Sequence, residues 1–152
     1  MQNRRQMLQR SAALAGALAG LGLLPPAAQA AWNSAAFDAK NMSDLVKALG
    51  VSAPTESKDV SITGPDIAEN GAVVPVGCAS TLAGVKHLLI LVEKNPNMLA
   101  AIFDVSDSVE PSLNTRVKMG QSSNVMAVAI TADNKVLFAQ MEIKVTLGGC
   151  GG

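Results

Sequence analysis

The sequence holds one histidine, two cysteines and no tyrosine in 152 residues, and aromatic residues make up only 3% of it. Each scarcity removes a kind of chemistry. A zinc centre needs three or four nitrogen, sulfur or carboxylate ligands held together, and His87 with two well-separated cysteines falls short of that. No glycine-rich nucleotide loop opens a helix, and no strand–turn–helix serine elbow is present. No cofactor is implied. After residue 30 the only arginine is Arg116, and no basic patch is interleaved with aromatics, which argues against nucleic-acid binding.

The first thirty residues, "MQNRRQMLQRSAALAGALAGLGLLPPAAQA", contain Arg4, Arg5 and Arg10 and no acidic residue. An apolar run from Ala12 to Leu24 follows, then Pro25-Pro26 and the small-x-small site Ala28-Gln29-Ala30. That order reads as a secretory signal, and the run is too short for a membrane span of roughly 20 residues. Arg4-Arg5, followed by Met7-Leu8, resembles a twin-arginine signal. As an amphipathic helix of the folded domain, the segment would leave its charge asymmetry and the Ala-Gln-Ala site unexplained.

Cleavage after Ala30 is expected to leave 122 of the 152 residues, enough for one domain. Nine basic residues then face twelve acidic ones, a formal charge of −3. With no second long apolar run, the mature chain is expected to be soluble. Three parts are expected: a signal over 1–30, a strand-rich domain with a leading helix over 31–147, and a carboxy-terminal arm over 148–152.

One helix is expected in "AWNSAAFDAKNMSDLVKALGV", with Ser43 and Asp44 capping it, Leu45, Val46 and Leu49 on one side, and Gly50 ending it. Phe37 and Trp32 are placed beside it. After Pro54 the pattern changes. "KDVSITGPDIAENGAVVPVGCAS" reads as two strands joined by a punctuated connection. The further strands are "VKHLLILVEK", "MLAAIFDVSD", "LNTRVKMG", "NVMAVAITA" and "KVLFAQMEIKVTL", with turns at Asn95-Pro96-Asn97, Gly120-Gln121-Ser122 and Asp133-Asn134. In the last run Leu137, Ala139, Met141, Ile143, Val145 and Leu147 form the apolar parity. Short strands with turns every ten or so residues predict an all-β, immunoglobulin-like antiparallel sandwich. The Cys–Trp–Cys core of antibody domains is absent.

A conventional active site is hard to assemble. His87 lies in "GVKHLLIL" beside an apolar run and reads as structural. Asp104, Asp107 and Glu110 in "FDVSDSVE" read as a solvated turn rather than an acid/base pair. Two cysteines in an exported chain could form a Cys78–Cys150 disulfide. A bridge at an extreme terminus would tie down almost nothing, however, and Cys78 in "VVPVGCAS" reads better as a small buried apolar residue.

The end of the chain, Gly148-Gly149-Cys150-Gly151-Gly152, is the feature with chemical content. Glycine loses more conformational freedom on ordering than any other residue, so this run suits no packed core. It places a thiol on a narrow tether. Three residues beyond Leu147 reach at most about 10 Å. A free thiol near pKa 8.5 is only about 3% thiolate at pH 7, and nothing on the tail would raise that fraction. Activation must come from whatever site receives the thiol, which is the logic of a carrier rather than an enzyme.

An exported, strand-rich domain ending in Gly-Gly-Cys-Gly-Gly resembles the SoxY family, the sulfur carriers of periplasmic thiosulfate oxidation. The resemblance extends through "DIAENGAVVPV", "VEKNPNMLAAIFDV", "LNTRVKMGQSSNVMAVA" and "EIKVTLGGCGG". It implies an immunoglobulin-like sandwich paired with a SoxZ-type subunit in the periplasm. It also implies a sulfur intermediate held on Cys150, with Gly148, Gly149, Gly151 and Gly152 as the swinging arm. The implied partners are a haem-containing thiosulfate-coupling enzyme, a sulfate thiohydrolase and a component that processes sulfane sulfur. Cys78 departs from the family pattern.

Three rival readings are weaker. Ubiquitin-like carriers also end in Gly-Gly, but they load by ATP-driven adenylation, and the export signal and Cys150 would then be unexplained. An assembly module would lock Cys150 into one stable intermolecular disulfide instead of cycling it. An independent enzyme needs a base beside its nucleophile, and the arm carries none.

Overall fold

The computed structural model describes residues 33–147; the expected signal over 1–30, Trp32 and the expected arm over 148–152 lie outside the described residues. Two short helices lead. Helix α1 (Ser34–Phe37) is capped by Asn33, whose side chain accepts from the Ala36 amide. Helix α2 (Met42–Leu49) ends at Gly50, which takes a left-handed conformation (φ 66°) that glycine adopts without a Cβ penalty. Its amino-terminal cap is Asn41, not Ser43 or Asp44. The Asn41 side chain accepts from the Asp44 amide at 2.9 Å and donates to the Asp44 carboxylate at 2.7 Å. Asp44 therefore sits in the first turn, where a negative charge complements the helix dipole.

Nine strands follow: β1 (Thr55–Glu56), β2 (Val60–Thr63), β3 (Ile67–Ala68), β4 (Val74–Ser80), β5 (Val85–Val92), β6 (Leu99–Asp104), β7 (Ser112–Val117), β8 (Ser123–Thr131) and β9 (Val136–Val145). They form two sheets. The larger runs β1-β9-β8-β5-β6, with β3 also pairing with β9; the smaller runs β2-β4-β7. The long strands pair antiparallel, as expected. The two-residue strands β1 and β3 instead lie parallel to β9, at its two ends, and cover the edge it would otherwise expose.

The larger sheet is covered on both faces, and the side-chain alternation of β5 and β8 shows how. Leu88, Ile90, Val92, Val125, Ala127 and Ala129 enter a core shared with the smaller sheet. Leu89, Leu91, Val128 and Ile130 point the other way, into a second core closed by Leu45, Ala36 and Ala39 from the helical segment. A strand buried on both faces reads as a continuous apolar run, which is why "VKHLLILV" shows no alternation. Phe37, expected beside a single helix, instead ends helix α1 and packs against this second core. Strand β9 contributes to both cores. Its apolar parity faces the smaller sheet, while Val136 and Phe138 of the other parity reach the helical layer. Leu147, assigned to the apolar parity, is 66% exposed because β9 has already ended.

Candidate functional site: the root of the carboxy-terminal arm

Strand β9 is held on both sides up to its last described residues. The Lys144 and Thr146 amides donate to the Asp66 and Ala68 carbonyls at 3.0 and 3.1 Å, and the Thr146 hydroxyl donates to the Glu69 carbonyl. The Val145 amide donates to the Ser122 hydroxyl at 2.9 Å. The last link is a relay: the Gly71 amide donates to the Leu147 carbonyl at 2.8 Å, and the Met119 amide donates to the Gly71 carbonyl at 2.7 Å. The chain is therefore gripped by two loops up to Leu147, immediately before the Gly-Gly-Cys-Gly-Gly sequence. Cys150 and its four flanking glycines lie outside the described residues.

The surroundings of this root contain no histidine. His87 pairs with Ile130 across β8, and Ile130 pairs with Val136, so His87 is level with the start of β9. The root lies nine or more residues further on, about 30 Å along the sheet at 3.3 Å per residue. An arm reaching about 10 Å does not span that distance. His87 is also not beside a strand but within β5, half-buried, with its Nδ1 2.8 Å from the Asp104 carboxylate. The acidic cluster disperses in the same way. Asp104 ends β6 opposite His87, Asp107 accepts from Lys86 at 2.7 Å, and Glu110 is exposed. Asp104 and Asp107 thus each face a basic side chain, His87 and Lys86. Among the described residues no cluster of three metal-ligating side chains occurs.

Cys78 is a free thiol, 2% exposed, in the core between the sheets. Ile62 and Leu113 flank it on the neighbouring strands. Burial penalises the thiolate and pushes its pKa up to about 11. It is thus a packing residue, as the apolar context of "VVPVGCAS" suggests, and a poor nucleophile.

Residues 45–150 match the family model described as sulfur oxidation protein SoxY. The chain is a member of the SoxY family. The matched span includes Cys150 and the two glycines before it. The structure of the sulfur carrier protein SoxY from Chlorobium limicola f thiosulfatophilum is 31% identical in sequence, with a TM-score of 0.61 over 69% of this chain and 94% of that one. A superoxide reductase (neelaredoxin) from Ignicoccus hospitalis matches at 15% identity and a TM-score of 0.51, over 57% of this chain and 78% of that one. That likeness shows a shared sandwich and nothing about the site. No curated protein matches the chain. Membership of the SoxY family confirms the all-β, immunoglobulin-like reading of the sequence.

Proposed function

We propose that this SoxY-family chain is a carrier that holds sulfur covalently on the Cys150 thiol and presents it to partner enzymes during thiosulfate oxidation. The observation that carries the reading is the contrast at Leu147. A rigid, doubly gripped strand end meets a five-residue sequence whose four glycines leave one thiol on a bare tether. Family membership implies partnership with a SoxZ subunit and a place in the periplasm. The residue 1–30 segment, read as a cleaved signal of twin-arginine type, supplies the route. No helix among the described residues is long and apolar enough to cross a membrane.

The chemistry divides between arm and partners. Oxidative coupling joins the Cys150 sulfur to the outer sulfur of thiosulfate, releases the thiol proton, and passes two electrons to a haem-containing partner. Hydrolysis by a thiohydrolase then releases the terminal sulfonate as sulfate and leaves a persulfide on Cys150. A further component either takes the sulfane sulfur onto its own acceptor, returning the thiol, or oxidises it to a sulfonate with the electrons passing to that component, after which a second hydrolysis by the thiohydrolase releases sulfate and returns the thiol. The histidine of this chain, His87, is out of reach of the arm root, so in this reading the base for each step comes from the partner that receives the thiol. Its own contribution is a thiol that several active sites can admit, and so it acts as a substrate-bearing subunit rather than an enzyme.

Replacing Cys150 with serine tests the reading in cells and in the purified protein together. The Cys150→Ser variant is expected to abolish thiosulfate-dependent respiration with an unchanged unfolding transition, since a glycine-rich run is a poor element of a packed core. Unfolding of that variant, or retained respiration, would refute the reading.

A further inference from the structure

Acidic residues outnumber basic ones twelve to nine after residue 30, yet one open cleft carries positive charge only. It has a volume of about 500 Å³ and lies between the end of β7 and the turn that joins β5 to β6. Arg116 and Lys118 line one wall, Asn95 and Asn97 the other, and none of the lining residues is acidic. The alternation of β7, continued past its end, turns Val117 and Met119 into the core and leaves Arg116 and Lys118 exposed. Neither makes an ion pair among the described residues. A third cation, Lys40, donates from its ammonium to the Asn97 side chain.

The cleft is braced by one side chain. Asn95 Nδ2 donates to the Lys118 carbonyl at 2.7 Å, and Asn95 Oδ1 accepts from the Gly120 amide at 3.3 Å. That ties the β5–β6 turn to the end of β7 and holds Lys118 beside Met119, at the arm root. The Met119 amide is bonded to the Gly71 carbonyl, and the Gly71 amide to the Leu147 carbonyl, so one residue separates the root from the cleft wall. Those two bonds and the span of one residue put the Met119 nitrogen within about 9 Å of the Leu147 carbonyl oxygen. Lys118 comes directly before Met119, and Arg116 lies about 7 Å further along the strand. An arm that reaches about 10 Å, lengthened by its cargo and met by two long cationic side chains, spans the gap.

We propose that this cleft binds a sulfur oxyanion group, with Arg116 and Lys118 as the residues that hold it. An –SO₃⁻ group presents three acceptor oxygens. The guanidinium fork donates to two of them in parallel, and the ammonium takes the third. Two sources carry that group in thiosulfate oxidation. One is free thiosulfate or sulfate, which needs nothing from the arm. The other is the sulfonate end of a thiosulfonate on Cys150, which rests on the carrier reading. Tethering presents this second source at an effective concentration in the millimolar range. Exposed cations hold a small anion weakly, so the dissociation constant for free thiosulfate is expected on the order of 1–10 mM. A sulfonate held there keeps a loaded arm against the sandwich until a partner outcompetes two surface charges. A neutral thiol has no such hold, and the cleft thereby distinguishes loaded from empty carrier.

Proton–nitrogen correlation NMR on the exported protein tests the two sources separately. In the Cys150→Ser variant, sodium thiosulfate, compared with sodium chloride at equal ionic strength, is expected to shift the amides of Asn95, Asn97 and residues 115–118 saturably. In the protein with its thiol, tetrathionate loads the arm without an enzyme. The Cys150 thiolate attacks an inner sulfur, a new S–S bond replaces the central S–S bond of tetrathionate, thiosulfate leaves with the electron pair, and the thiol proton passes to solvent. Once free thiosulfate is removed, the same amides are expected to be displaced, and to return when dithiothreitol strips the adduct. Arg116→Gln with Lys118→Gln should weaken free binding at least about tenfold and erase the loading shifts. Lys86→Gln, at the opposite end of β5, should change neither. Shifts from either source establish the site and identify what fills it. No saturable shift from thiosulfate and none from an adduct that mass spectrometry shows in place overturns the proposal. So do shifts that chloride reproduces or that survive the double variant. A cleft blind to both sources, whose double variant folds but loses SoxZ binding, is a docking surface, and that result overturns the proposal as well. None of these outcomes bears on the carrier reading, which loading of Cys150 in cells tests.

Discussion

A carrier with two thiols works only if one of them stays silent, and the structure gives that requirement a magnitude. Cys78 is buried in the core with its pKa pushed up to about 11. At pH 8 it is about 0.1% thiolate, whereas an unperturbed thiol near pKa 8.5 is about one quarter thiolate. Ionisation alone separates the two by more than a hundredfold (roughly 250), before any steric protection is counted. Iodoacetamide at pH 8 is therefore expected to label the Cys150 peptide at least about a hundred times faster than the Cys78 peptide in the native protein. In denaturant the rates should converge. The same burial makes a stability prediction. Well below the unfolded-chain value near 8.5 the thiol is protonated in both folded and unfolded chains, and its burial carries no ionisation cost. Between about pH 8.5 and 11 the unfolded chain releases the proton while the folded chain keeps it, so stability falls as pH rises through that window. The full loss is about 2–3 kcal/mol for a shift of this size. Urea unfolding at pH 8 and pH 11, compared with Cys78→Ala to subtract the titration of other groups, measures it. Native labelling of Cys78 within tenfold of Cys150, or an identical pH dependence in Cys78→Ala, would refute the reasoning.

Asn41→Ala removes the side-chain cap of α2 and is expected to cost about 1 kcal/mol, measured by denaturant midpoint; Ser43→Ala should cost only a few tenths. Replacing Gly148 and Gly149 with valine is expected to slow sulfur delivery to several partner enzymes at once without shifting the melting temperature. An unchanged rate with every partner would show that slimness is not what these glycines supply.

What the sequence makes legible follows from where periodicity is long enough to read. The eight apolar-rich positions of β5 and the alternation of β9 announce a sandwich, and Gly50 marks the helix end because only a left-handed residue closes it there. The strands β1 and β3 have two residues each and hence no period to detect, yet they convert the edge of β9 into an interior strand. Val136 and Phe138 belong to the parity that carries Gln140, Glu142 and Lys144, so the second core under the helices was not visible from that alternation. The cap fell to Asn41 because asparagine, serine and aspartate are equally good caps by composition, and backbone direction decides among them. The thiol of the proposed site was readable because its glycine neighbours have no structural purpose in a core. The grip on Leu147 by Gly71 and Met119 was not, since backbone hydrogen bonds between distant loops leave no mark on residue type.

The most direct test of the account is intact and peptide-level mass spectrometry of the exported protein, prepared without reductant from cells grown with and without thiosulfate. The account predicts a thiosulfate-dependent adduct on the peptide containing Cys150, removed by reductant, with Cys78 unmodified in the same sample. A mass that shows only a fixed disulfide and does not respond to thiosulfate, or an adduct on Cys78, would contradict it.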